Sequence, residues 1–310
     1  MLLTHSEMNS DQIKLYEDNG FVPVYVWSHA IIARDWYRYA EIDPVLLSNR
    51  IEYDFLVYNR AWSGTREYRL KFAELVTTSG LASNCLMGFS PYDADEHYTN
   101  HVFKNTAFKI NATDLETNFF LNTADANSSA DYVGVDYARC GIEVVLETMF
   151  DDARWHLTEK ALRPIACGKP FILAATPGSL KYLRSYGFET FGEIINEDYD
   201  SIVDPVQRLT AIVSEMQRIS TLSKDQKAQV FSQLNQISQR NKQRFFSLDF
   251  QQQVIQEYKQ NFYQGYDKVL SSRHGQYLFK HLDFVLTVNP ESVRFSAHEI
   301  DYLRSLLISK

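Results

Sequence analysis

The sequence lacks the features that mark several common protein classes. Cysteine is scarce: Cys85, Cys140 and Cys167 are the only three, and no two form a Cys-x-x-Cys pair. An odd count at wide spacing argues against a disulfide framework and suits buried thiols in a reducing compartment. No apolar run approaches the roughly 18 residues of a membrane-spanning helix. Met1-Leu2-Leu3-Thr4-His5 sets no basic segment before a long apolar run, so a secretory signal is not expected and a cytoplasmic protein is. Gly-x-Ser-x-Gly, the P-loop pattern and Gly-x-Gly-x-x-Gly are all missing, which argues against serine hydrolases, P-loop enzymes and dinucleotide-binding dehydrogenases. Positive charge is in deficit, with 31 Lys and Arg against 39 Asp and Glu and a net charge of −8. That balance opposes broad electrostatic attachment to nucleic acid, although a local basic groove remains open. Asp151-Asp152 has no flanking ligands at useful spacing, and His97 and His101 lack a third, so no metal is expected.

What is present is a large globular core. The 310 residues are 45% hydrophobic and 14% aromatic, enough for one large or two ordinary domains. Apolar, β-branched runs at 1–4, 21–27, 54–58 and 83–89 read as strands, separated by helical patterns at 11–19, 30–41 and 66–77. Residues 90–135 are rich in Asn, Asp, Ser and Thr, and the stretch 122–130 is turn-like. Two further strands follow, at 142–146 and 171–175. Thr158 and Thr176 stand as helix caps, with Pro177 at a first helical position and Gly187 past an end. Pro164 is expected to shorten or kink the first of those helices. Helices continue over 206–220, 223–240, 250–266, 275–288 and 298–309. Alternating strands and helices imply parallel sheets. The expected architecture is α/β, with two Rossmann-like halves and a helical C-terminal tail. The divisions are 1–132, 133–245 and 246–310: an acceptor-side domain, a donor-binding domain and helices packing back.

Residues 143–191 carry a resemblance. Thr158-Glu159-Lys160, then Gly168, then Pro170-Phe171-Ile172, resembles the donor-nucleotide segment of GT-B glycosyltransferases of the fucosyltransferase-like and exostosin-like families. Those families pair a Thr-Glu-Lys-like or Asp-Lys-like element with a Gly-x-Pro-Val turn; here the turn is Lys169-Pro170-Phe171. The chain is also similar to phage-borne sugar transferases, including the T-even phage DNA arabinosyltransferases. The resemblance implies transfer of a sugar from a nucleotide sugar in a cleft between two halves, with modified DNA among the acceptors and no membrane or cofactor.

Residue chemistry nominates a site. Lys160 in a first helical turn would stabilise the charge growing on a departing diphosphate, and Glu159 would take hydrogen bonds from ribose. An ordinary exposed Glu-Lys pair is the plain alternative. Glu147 ends a strand, as a ribose or base contact or as a solvated strand end. His156 would contact donor phosphate. Ser179 would offer a hydroxyl to phosphate or base, or merely start a helix. Arg60 and Arg66 flank Trp62 on a strand-to-helix loop suited to phosphate, unless Arg66 and Arg69 pair with Glu67 and Glu74. A base for the acceptor would come from Glu7, His29 or Asp35. Arg34 and Arg38, four apart, share a helix face that would meet DNA phosphates, unless they pair with Asp35 and Glu41. A non-catalytic nucleotide- or glycan-binding module is the alternative function, and a structural or interaction protein is a third.

Overall fold

The computed structural model describes residues 1–48, 50–115 and 129–271. The helices expected at 275–288 and 298–309 lie outside the described residues, as does most of the turn-like stretch 122–130. The chain divides into two compact units. The smaller holds Met1–His5, Asp11–Val26 and the chain from Gln256; the larger holds Ser6–Ser10 and Trp27–Ile255.

In the smaller unit, β1 (Leu2–His5), α1 (Gln12–Asp18) and β2 (Val22–Tyr25) form a parallel two-stranded crossover. Gly20 ends α1 at φ +80°, a backbone state that L side chains rarely adopt.

The larger unit begins with α2 (Ser28–Trp36), β3 (Tyr53–Val57), α3 (Tyr68–Thr78) and β4 (Cys85–Met87). A small antiparallel hairpin follows, β5 (Tyr92–Asp93) with β6 (Glu96–His97). Then come α4 (Gly134–Arg139), β7 (Cys140–Leu146), α5 (Glu159–Cys167), β8 (Phe171–Ala174) and α6 (Ser179–Ser185). Three longer helices close the described chain: α7 (Pro205–Ser220), α8 (Lys224–Phe246) and α9 (Leu248–Ser271), the last continuing into the smaller unit.

The fold is mixed α/β with a parallel sheet of order β4-β3-β7-β8. This corrects the expected division at residue 132. β3 and β4, assigned to a first half, share one sheet with β7 and β8, assigned to a second, and β1-β2 stands as a separate pair. Strand pairing is a long-range choice that no local pattern encodes. Every residue of β7 and β8 is buried, which fits strands covered on both faces, although β8 lies at the edge of the sheet. β3 leads to β4 in one direction and β7 to β8 in the other. Right-handed crossovers therefore place α3 and α5 on opposite faces. α3 packs with α7, and α5 packs with α2 and α8.

Local signals explain the helix ends. Ser223 and Gln226 form a reciprocal capping box that starts α8. Asp204 accepts from the Gln207 amide at 2.7 Å, with Pro205 in the first turn of α7. α6 starts at Ser179, two residues later than Pro177, because Gly178 takes φ +81° before it. Pro164 does not end α5, which runs on to Cys167. Its missing N–H orphans one first-turn carbonyl, while Ala161 and Leu162 before it and Ile165 and Ala166 after it are all fully buried. At about 1.5–3 kcal/mol per large apolar side chain, that burial outweighs one lost hydrogen bond. Arg34 donates to the carbonyls of Phe245, Phe246 and Ser247 at 2.6, 2.7 and 3.1 Å, closing the end of α8. Its guanidinium is thus a helix cap, and the DNA-facing pair expected with Arg38 is not formed. No helix among the described residues is long and apolar enough to cross a membrane.

A fragment of residues 1–132 would keep β3 and β4 but lose β7 and β8. It is expected to show no cooperative thermal transition by circular dichroism; a sharp transition would show that the four-stranded sheet is not the folding unit.

Candidate functional site

In an open parallel sheet, ligands bind beyond the carboxyl ends of the strands where the strand order reverses. Here that point lies between β3 and β7. Two connections meet there, residues 58–67 after β3 and 147–158 after β7.

Buried polar groups hold both connections. Asp93 accepts from the amides of Trp62 and Ser63 at 2.8 and 2.6 Å, and the Trp62 indole donates to the Ser90 carbonyl at 2.9 Å. Arg69 donates to the carbonyls of Ala61, Leu146 and Glu147 at 2.8, 2.6 and 3.1 Å, tying the two connections together. Glu147 is fully buried. Its carboxylate accepts from the Thr158 amide at 2.9 Å, the Thr158 hydroxyl at 2.8 Å and the Thr148 amide at 3.0 Å. Glu147 therefore organises the loop from inside, where a ribose contact had been one expectation. Thr158, itself buried, is the N-cap of α5. Ser179 is likewise internal: its hydroxyl donates to the Thr176 carbonyl at 2.7 Å, and Asp200 takes the Leu180 amide at 3.1 Å.

Between the first connection and α5 lies a cavity of about 80 Å³, lined by Tyr58, Arg60, Ala61, Arg66, Arg69, Ser129, Lys160 and Arg163. Five of these carry positive charge, and no carboxylate is among the described lining residues. Carboxylates stand behind the wall, among them Asp136, which accepts from the Tyr58 hydroxyl at 2.9 Å. Arg163 donates to Glu143 at 2.6 Å and to the Tyr137 hydroxyl at 3.1 Å, and Tyr137 donates to Glu143. Lys160 donates to Glu159 at 2.7 Å and to the Thr158 hydroxyl at 3.2 Å. Arg69 has only neutral carbonyls. The half-buried Arg66 side chain makes no hydrogen bond or ion pair among the described residues; Glu67 and Glu74 are taken up by other groups. Burial, then the neighbouring Arg69 charge, pulls the Arg66 pKa below its usual value, against the pull of Asp93. At about 30 Å³ per water, the space matches one phosphoryl-sized anion.

A second cluster adjoins Lys160. Glu159 lies 3.7 Å from His29 Nε2, and the rings of His29 and His156 meet edge to face at 5.0 Å. His156 Nδ1 faces the Ser6 hydroxyl at 3.4 Å and the Ser6 carbonyl at 3.3 Å. His29 Nδ1 is buried with no hydrogen-bond partner. Burial, then His156, lowers the His29 pKa below 6.5 despite the opposing Glu159 charge. Burial alone would raise the Glu159 pKa, but Lys160 and His29 outweigh it and hold the carboxylate ionised.

Of the three bases expected from sequence, only His29 reaches this place. Glu7 accepts from Arg154 at 3.2 Å and from Ser10 at 3.1 Å. Asp35 is 74% exposed and pairs with Arg38 at 3.0 Å on the outside of α2. Arg60, Arg66 and Lys160 do converge, and His156 and Glu159 lie beside them. Arg163 and Tyr58 were missed as wall residues. The signal for Arg163 was its spacing: three residues after Lys160, it shares that helix face. A larger cavity, about 850 Å³, lies elsewhere, between α6 and the stretch 192–201. Its half-buried carboxylates bond to backbone, Asp200 to α6 and Glu197 to the Phe191 amide at 2.6 Å. It collects none of the expected residues except those beside Ser179. Comparison with family models, with curated proteins and with solved structures finds no match.

A depressed His29 pKa has a signed consequence for stability. Unfolded, the imidazole takes up a proton near 6.5, whereas the folded chain resists it. The unfolded state then binds more protons, so this group's contribution is full above about 6.5 and falls as pH drops toward the folded value. The urea midpoint is expected to fall between about pH 7 and 6, and His29→Gln to flatten that fall. Equal slopes in both proteins would refute the depressed pKa.

Proposed function

We propose that this chain is a glycosyltransferase that takes a sugar from a nucleotide sugar and holds the donor's phosphates at the β3–β7 switch point. The observation that carries this reading is the cationic cavity, above all the half-buried Arg66, whose side chain has no hydrogen bond or ion pair among the described residues. An anion entering there relieves like-charge crowding and takes up donors that nothing else uses. The resemblance around Thr158-Glu159-Lys160 selects a nucleoside diphosphate sugar among phosphorylated ligands.

In transfer, the bond from the anomeric carbon to the diphosphate oxygen breaks, and its electron pair stays with the leaving phosphate. Arg66 and Lys160 would meet that charge as it develops. The acceptor hydroxyl forms the new bond and gives its proton to a base. His29, kept neutral by burial, suits that role. A binding module without catalysis is the second reading, favoured by one fact: two of the three expected bases, Glu7 and Asp35, are engaged away from Lys160.

Arg66→Ala and Lys160→Ala are expected to weaken nucleoside diphosphate binding by about tenfold to a hundredfold, the worth of one or two charged hydrogen bonds. Calorimetry on variants that melt at the wild-type temperature checks this, and unchanged affinity would remove the phosphate role. Because cationic side chains supply the charge stabilisation, donor turnover is expected to persist in chelator. Activity abolished by chelator and restored by magnesium or manganese would contradict that, and donor binding without turnover would select the binding module.

A further inference from the structure

The turn Gly64–Arg66 lies between two cavities. Arg66 lines the cationic one, and Thr65 lines a second of about 430 Å³ on the same connection. Its other walls come from Asn105 and Thr106, and from Phe150 and Asp151 just after β7, with Phe108 beneath. This volume falls in the range of about 300–1,000 Å³ typical of small-molecule pockets. The 80 Å³ cavity next to it does not hold more than a phosphoryl group.

We propose that this second cavity binds the sugar ring of the same phosphorylated ligand, through its hydroxyls. The inference rests on the reading of the first cavity as a phosphate site. The wall chemistry is that of polyol recognition. Asn105 donates to one oxygen of Asp151, joining the two loops. The second Asp151 oxygen and the hydroxyls of Thr65 and Thr106 make no hydrogen bond among the described residues. A carboxylate with a free oxygen beside two hydroxyls accepts from and donates to a vicinal diol. The floor is apolar and held still. Phe108 and Phe150 are buried, and Phe150 carries the Tyr68 ring at 4.2 Å and the Arg208 guanidinium at 4.3 Å. The walls are also fixed in advance: Glu67 accepts the amides of Lys104 and Asn105 at 2.8 and 3.0 Å, and Arg208 donates to the Phe150 carbonyl. Recognition by preset groups loses little ordering entropy.

Calorimetry with inorganic phosphate, glucose 1-phosphate and ribose 5-phosphate separates the two cavities, and the two sugar phosphates separate a hexose from a ribose. At least one sugar phosphate is expected to bind about tenfold tighter than phosphate, the worth of one or two hydrogen bonds. Asp151→Ala should remove that gain and leave phosphate affinity unchanged. Thr65→Val, on an exposed turn, should reduce it as well. A sugar phosphate no tighter than phosphate, or a gain that survives both substitutions, would overturn the inference. If inorganic phosphate itself does not bind, the cationic-cavity reading fails. Saturation-transfer NMR with methyl glucoside and free ribose then tests the second cavity alone. Transfer lost in Asp151→Ala supports it, and no transfer from either sugar overturns it.

Discussion

Glu143 places a carboxylate in the middle of β7, opposite Leu56 on one side and Phe171 on the other, at 1% exposure. An unpaired charge there would cost several kcal/mol, so the surrounding structure has to supply partners. It supplies Arg163 from α5 and Tyr137 from α4, and Arg163 in turn lies 4.4 Å over the Tyr58 ring at the end of β3. Tyr58 is anchored by its hydroxyl to Asp136 at 2.9 Å. This one compensation fixes how α5 is rotated. With Arg163 turned onto the sheet, Lys160 comes to the same face one turn earlier. Glu159, one residue further back, lies beside His29. The candidate site inherits its geometry from a buried ion pair behind it.

The crevice itself is held open by groups that no ligand needs to organise. Glu147 gives both oxygens to the start of α5, and Arg69 gives its guanidinium to carbonyls on both connections. Both are buried polar groups that bond inward. Their burial costs solvation, and the bonds offset that cost while freezing the loops. Charges set in place before an anion arrives need no reorganisation when it does, the condition under which electrostatic stabilisation is most effective.

The sequence made the elements legible and left their neighbours hidden. The apolar run at 142–146, the Thr158 cap and Gly168 each act on a few adjacent residues, and each appears in the structure close to where the pattern places it. That β3 pairs with β7 depends on residues about ninety positions apart, and the polar stretch between them reads as a boundary. The site shows the same division. Arg60, Arg66 and Lys160 sit at strand-to-helix junctions, where polarity is a useful signal. Glu147 and Ser179 sit at equivalent junctions but bond inward, and only their partners tell the two situations apart. Arg34 reads as a surface cation until the three carbonyls it caps are seen.

Arg66 and Arg69 illustrate why the cavity is read as a ligand site. They sit three residues apart, around the start of α3, and line the same space. Arg69 is buried to 3% exposure, yet its two terminal nitrogens donate to three carbonyls that tie the connections together, so the fold gives it a structural role. Arg66 has no such account. It is half-buried and repelled by Arg69, and against the pull of Asp93 its side chain makes no hydrogen bond or ion pair among the described residues. A neutral side chain at that position would remove the repulsion and leave the loops anchored by Asp93, Arg69 and Glu147. Local features that oppose stability without structural compensation concentrate at functional sites. Asp93 offsets the cost at Arg66 only in part, and the absence of a carboxylate from the described walls leaves the remaining negative charge to come from a ligand.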